Sequence, residues 1–188
     1  MIRAIITDFD GTLVDTFEAN FHAYEEAFRL NGLMITRSQY RDCFGLRFDA
    51  FMQYMGISDD NLKLRIKKEK ARVYPSYFSS LIPNEPLIAF IRKARLAGVK
   101  TAIASTAQRE NLMNVLNYLL LADLFDEIIA GMGVKQGKPA PEIYLKAMDI
   151  LKVSPEETLI FEDSEVGLQA AESSHANYMK ISEVFFQL

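Results

Sequence analysis

Residues 8–15 read DFDGTLVD: three aspartates in eight positions, directly behind the apolar run MIRAIIT. Acids this close to the edge of a hydrophobic core raise one another's pKa unless a positive charge stands between them. Such a group can hold a hard divalent cation through oxygen, attack an electrophile, or carry a proton. Asp8 and Asp10 are the pair to consider together, because residues i and i+2 of an extended segment face the same side. Asp15, with Glu18 three residues on, forms a D-x-x-E pattern close to a capping box and is expected to start a helix rather than do chemistry.

Three further polar positions follow apolar runs. VKTAIAS ends at Ser105, next to Thr106; FDEIIA leads into GMGVKQGKPAP, which carries Lys138; TLIFED ends at Glu162 and Asp163. Between these runs lie segments of helical pattern, EPLIAFIRKARLAG, QRENLMNVLNYLLL, PEIYLKAMDIL and SEVGLQAAE, and YMKIS is expected as a last strand. Short strands alternating with helices of this length predict an α/β fold with a parallel sheet covered on both faces. All strand carboxyl ends then lie on one edge, where ligands bind. Four carboxylates, a hydroxyl and an ammonium far apart in the chain are thereby expected to converge.

Magnesium suits that set, being hard and usually held by one or two carboxylates plus a phosphate. No His or Cys cluster points to zinc. Lys138 precedes Pro139 at an expected helix start, an unfavourable end for a cation unless an anion binds there. A solvated loop lysine is an equally good reading of that position taken alone.

Residues 16–80 follow a different rhythm. Phe17, Phe21, Tyr24 and Phe28 recur at helical spacing, with breaks at Asn31-Gly32, Gly45 and Gly56 and no strong strand. The expected organisation is a core of residues 1–15 and 81–188 interrupted by a helical insert, 16–80. The chain of 188 residues is 49% hydrophobic and 24% charged, with a net charge of −4. That is ordinary for a soluble protein and leaves no basic footprint for nucleic acid. No apolar run is long enough to span a bilayer. Cys43 is the only cysteine, expected to be a small buried residue, so a reducing, cytoplasmic setting fits.

The stretches DFDGTLVD, IAST, GKPAPEIY and LIFEDSEVGLQAA, in this order and spacing, resemble the four motifs of the haloacid dehalogenase-like phosphohydrolases. The chain looks like the phosphoglycolate phosphatase and β-phosphoglucomutase branch, whose helical cap is inserted where the helical insert falls here. The resemblance implies a Rossmann-like core and a magnesium-dependent phosphatase acting on a small phosphate monoester. It makes Asp8 the nucleophile of an aspartyl-phosphate intermediate and Asp10 the general acid and base. It gives the metal to Asp8, the Asp10 carbonyl, Asp163 and Glu162, although Glu162 also reads as a residue that shapes the site without touching metal. Ser105, Thr106 and Lys138 would hold phosphoryl oxygens; alternatively Ser105 caps the next helix, and Thr12 merely closes the turn after Gly11.

In the cap, Arg47 beside Gly45 is a candidate for a second anionic group on the substrate, and a surface arginine is at least as good a reading. The basic stretch KLRIKKEKARVY reads better as a solvated helix face. Where mutases of that branch carry a histidine in the first cap helix, this chain has Asn20, with His22 on another face, which favours a phosphatase over a mutase. Where relatives have PG at the return of the cap, this chain has IPNEP; after the fourth motif it has ESSHANY; and it stops at Leu188, so a final element is expected to be missing. A phospho-acceptor signalling domain is a further reading, weakened by the insert. The expected partner is a small phosphate ester, with the protein a monomer or weak dimer.

Overall fold

The computed structural model describes residues 1–182 and 186. In chain order the elements are β1 (Ala4–Thr7), β2 (Val14–Asp15), α1 (Phe17–Leu30), α2 (Arg37–Cys43), α3 (Phe48–Tyr54), α4 (Asp60–Val73), β3 (Ile82–Pro83), α5 (Glu85–Leu96), β4 (Lys100–Ser105), α6 (Arg109–Tyr118), β5 (Glu127–Ala130), α7 (Glu142–Leu151), β6 (Thr158–Glu162), α8 (Glu165–Ser173) and β7 (Asn177–Lys180). The chain forms two compact units, one of Met1–Asp15 with Ile82–Leu188, the other Thr16–Leu81. The segment after Ser182, where the missing final element was expected to matter, lies outside the described residues apart from Phe186.

The first unit is a five-stranded parallel sheet in the order β5-β4-β1-β6-β7. β1 is buried at all four residues and lies at the centre, because AIIT has no polar side to show to water. Thr7 is level with Ile103 of β4 on one side and Phe161 of β6 on the other. Continuing each strand by one or two residues therefore brings Asp8, Ser105 and Glu162–Asp163 to the same edge. Under the sheet, Tyr144, Ala147, Met148 and Leu151 of α7 pack against Ala4, Ile6, Ala102, Ala104 and Ile160. Each large side chain buried this way contributes roughly 1.5–3 kcal/mol.

The chain leaves and re-enters the sheet unit through a short antiparallel ribbon, β2 with β3, in which Asp15 is level with Ile82. This corrects the expectation for Asp15. It belongs to a strand ladder, and α1 starts at Phe17 behind Thr16, whose side chain makes no capping bond. The tertiary pairing overrides the local D-x-x-E pattern.

In the second unit α1 and α4 pack against each other, and Phe21, Phe28, Tyr40, Phe51, Met52 and Ile66 form the core. The breaks at Gly32, Gly45 and Gly56 all fall between helices. Cys43 is buried there, and burial, with Asp42 nearby, pushes its thiol up to about 11. Helix α4 buries Ile66 and Val73, and its lysines and arginines are exposed or half-buried except Lys70, which is buried, its ammonium 3.4 Å from the centre of the Tyr74 ring. Among the described residues no helix is long and apolar enough to cross a membrane.

Asn84, fully buried, joins the ribbon to the sheet unit. Its side-chain oxygen caps α5 by accepting from the Leu87 N–H (3.1 Å), and its amide donates to the Thr12 carbonyl at 3.0 Å. Its own N–H donates to the Leu13 carbonyl at 2.9 Å. An Asn84→Ala variant is expected to lose about 1 kcal/mol from the cap and about 1–3 kcal/mol from the donor withdrawn from a buried carbonyl. The check is urea unfolding, with a lowered midpoint and an unchanged slope.

Candidate active site

Asp8 follows β1 directly, and the chain then turns tightly: Leu13 and Val14 both donate to the Phe9 carbonyl, and Gly11 donates to Val14. Gly11 has φ +85°, and a Cβ there would run into the Asp163 carboxylate. Glycine is needed for both reasons. Asp10 is half-buried inside this turn. Thr12, fully buried, donates from its hydroxyl to Asp163 Oδ1 at 2.6 Å. It does more than close the turn: it ties the first motif to the fourth.

The carboxylates of Asp8, Glu162 and Asp163 each offer an oxygen within 4.8 Å of the others. Among them sits Lys138, whose side chain is only 4% exposed. Its ammonium donates to Asp8 Oδ1 at 2.6 Å and also to Glu162 Oε1. It is thus no solvated loop lysine, nor does it start a helix: α7 begins at Glu142. The two carboxylates settle its charge. The loop that presents it is closed by Glu142, whose carboxylate accepts from the Lys135 and Gln136 N–H groups, both at 2.8 Å.

Glu162, fully buried, accepts from Lys138, from the Tyr144 hydroxyl (2.9 Å), from the Asp163 N–H (3.0 Å), and from the N–H and hydroxyl of Ser164 (both 3.1 Å). A carboxylate offers about four lone-pair sites, so Glu162 is saturated. A Cβ on Gly167 would overlap this carboxylate, so the glycine in SEVGLQAA makes room for it. Asp8 accepts from Lys138 and Asp163 from Thr12, and with fewer donors than Glu162 among the described residues both keep capacity for a cation.

Burial raises the Asp8 carboxyl well above its ordinary value; Lys138 opposes that shift, while Glu162 and Asp163 add to it. Asp163 is pushed up to about 6, again mainly by burial, against the Thr12 hydrogen bond. For Lys138 burial favours the neutral form, but Asp8, Tyr144 and Glu162 outweigh it and raise the ammonium's pKa well above the usual lysine value. Three acids therefore share one ammonium, and the raised Asp8 and Asp163 mark what it leaves unneutralised. An all-oxygen donor set short of positive charge fits a hard divalent cation.

Ser105, buried at the end of β4, accepts from the Ala107 N–H at 3.0 Å, and α6 starts later, behind Gln108. Ser105 is thus not the helix cap. Thr106 lies beside it, half-buried. Asn20 is on the buried part of α1, and Arg47 precedes α3, half-buried. His22 stacks on Tyr77, with ring centres 5.6 Å apart, and lies between Glu18 and Glu25. Tyr144 and Asn84 were not singled out from the sequence; the Tyr in GKPAPEIY and the Asn in IPNEP were the only signals.

A parallel sheet that gathers three acids and a buried lysine at its carboxyl edge is the frame of a phosphate-handling hydrolase. The chain belongs to the haloacid dehalogenase-like hydrolase family, whose model matches residues 5–181. It is 34% identical to the phosphorylated carbohydrates phosphatase of Thermotoga maritima, over 92% of this chain and 82% of that protein. It is 26% identical to the β-phosphoglucomutase of Bacillus subtilis, over 92% of this chain and 80% of that one. The crystal structure of CbbY from Rhodobacter sphaeroides in complex with phosphate aligns over 100% of this chain and 89% of its own, with a TM-score of 0.86 and 26% identity.

Breaking a buried ion pair from one side leaves an uncompensated charge, at a cost of about 3–5 kcal/mol. Lys138→Met is expected to destabilise the metal-free protein by about that much near neutral pH. The loss should shrink on acidification, as Asp8 takes up a proton. Chemical unfolding of both proteins across the pH range is the check.

Proposed function

We propose that this protein is a magnesium-dependent phosphatase that hydrolyses a small phosphate monoester, a phosphorylated carbohydrate by analogy with its relatives, through an aspartyl-phosphate on Asp8. The observation that carries the reading is the buried Lys138 ammonium bonded to Asp8 inside the acid cluster. It sets a fixed positive charge beside the attacking carboxylate, where a phosphoryl group's oxygens need one.

In this reading a carboxylate oxygen of Asp8 forms a bond to phosphorus as the ester P–O bond breaks. Asp10 gives its proton to the departing alkoxide. It then takes a proton from water, which attacks phosphorus and releases Asp8 and inorganic phosphate. Splitting the displacement in two lowers each barrier. Lys138, Ser105 and Thr106 hold the phosphoryl oxygens. Asp8, the Asp10 carbonyl and Asp163 would hold the metal, and Glu162 would join them only by giving up one of its five donors. When bound, magnesium supplies the charge neutralisation that one ammonium leaves incomplete. The helical segment 16–80 acts as the cap that chooses the substrate, with Arg47 and Asn20 as its candidate contacts. The enzyme works in the cytoplasm, as a monomer or weak dimer.

Three experiments test this. Asp8→Asn is expected to abolish phosphate release, and Asp10→Asn to lower it about 10²–10⁴-fold; an active Asp8→Asn protein overturns the nucleophile. With β-glucose 1-phosphate and a bisphosphate primer, phosphate release should exceed glucose 6-phosphate formation; the reverse identifies a mutase. A long-lived phosphoprotein without turnover identifies a signalling domain instead.

The pH dependence has a defined sign. Asp163 in the metal-free fold has its pKa raised to about 6, so its stability contribution is present below the unfolded value and is lost as pH rises through about 6. A metal ligand must be ionised, so magnesium affinity rises over the same range. Thermal shifts are expected to show a larger magnesium stabilisation above about pH 6 than below it, with the affinity falling about tenfold per pH unit on the acid side.

A further inference from the structure

Tyr144 is fully buried in α7, yet its hydroxyl is not idle: it donates to Glu162 Oε1 at 2.9 Å, the same oxygen that receives Lys138. The face of its ring lies 5.1 Å from the Lys138 nitrogen. The other oxygen of Glu162 is held by the Asp163 and Ser164 donors. Glu162 is thereby fixed in one orientation, and its Oε1 is shared between a neutral donor and a charged one.

An acceptor oxygen that already receives one hydrogen bond presents less charge to a second donor. Tyr144 weakens the hold of Glu162 on Lys138 in this way. An ammonium has three donors. Two point at Asp8 and Glu162, the Tyr144 hydroxyl also interacts with the ammonium, and the third is the one a phosphoryl oxygen would take. The stronger the pull of Glu162, the more the ammonium is drawn into the protein and the less of its charge faces the substrate.

We propose that Tyr144 is a positioning residue, which acts through Glu162 to keep the Lys138 ammonium available to the phosphoryl group. The ring face lies under the ammonium, and the hydroxyl sets how firmly Glu162 grips it. The role rests on the reading of Lys138 as a phosphoryl contact.

The test is Tyr144→Phe, which keeps the ring and removes one oxygen. Glu162 retains four donors, so the fold should survive with a small loss of thermal stability. The inhibition constant for inorganic phosphate, and KM for the best ester found, should rise several-fold, while kcat changes less. A merely structural role would lower stability and leave the phosphate constant unmoved, and that result overturns the proposal. The second arm is the same substitution in a Glu162→Gln background. Acting through Glu162, the Tyr144→Phe effect on phosphate binding should vanish there; an undiminished effect refutes the route. Should Tyr144→Phe alone prove insoluble, replacement of Tyr144 by a ring-fluorinated tyrosine, a stronger donor, should tighten phosphate binding, and weaker or unchanged binding counts against the proposal. If wild-type protein neither binds phosphate nor hydrolyses any ester, the phosphatase reading fails on its own, independently of the variants.

Discussion

A single ammonium set among three carboxylates at the rim of a dry sheet governs the rest of this molecule. Charges in such surroundings interact far more strongly than in water, and unpaired ones are expensive. Lys138 must reach Asp8 and Glu162 at once, which fixes the path of the loop before α7. Glu162 must be satisfied at every lone pair, which accounts for the donors of Ser164 and Tyr144 and for the missing side chain at Gly167. Asp163 must sit against the first turn, which accounts for Thr12 and Gly11.

The sheet makes this crowding possible. β1 lies between β4 and β6, so the first motif has the second on one flank and the fourth on the other. The third motif arrives by a loop that Glu142 closes from within its own helix. Asn84 does the corresponding work on the far side of the turn, fastening the return of the chain to the Thr12 carbonyl. Rigid strands set the spacing, and hydrogen bonds at their ends set the angles. Such double support is what a site needs if its groups are to act without rearranging.

Much of this was legible in the amino-acid sequence. Alternating strands and helices show in the apolar rhythm, and polar residues behind each apolar run name the strand ends. Local patterns failed where a distant partner decides. Asp15 carries a helix-start pattern, yet its neighbour across the ribbon is Ile82. Lys70 lies in a basic run that reads as solvated, yet it is buried against Tyr74. Thr12, Asn84 and Tyr144 look like turn, loop and core residues because their partners are between 18 and 151 positions away. The role of an acceptor or donor cannot be read before its counterpart is placed.

The geometry around Lys138 also bears on why one site can serve related reactions. In the proposed mechanism the residues around Lys138 address phosphoryl oxygens, a cation or a proton, and none of them is assigned to a carbon skeleton. In the proposed mechanism, hydrolysis and transfer to a sugar hydroxyl share the step that loads Asp8 and differ only in what approaches the phosphoenzyme next. Discrimination between water and a hydroxyl therefore has to come from groups that hold the acceptor, outside the acid cluster. The resemblance sets Asn20 where mutases of the similar branch carry a histidine, and in the proposed reading that difference lies outside the groups that act at phosphorus. That asymmetry is the physical reason to read this member of the family as a hydrolase.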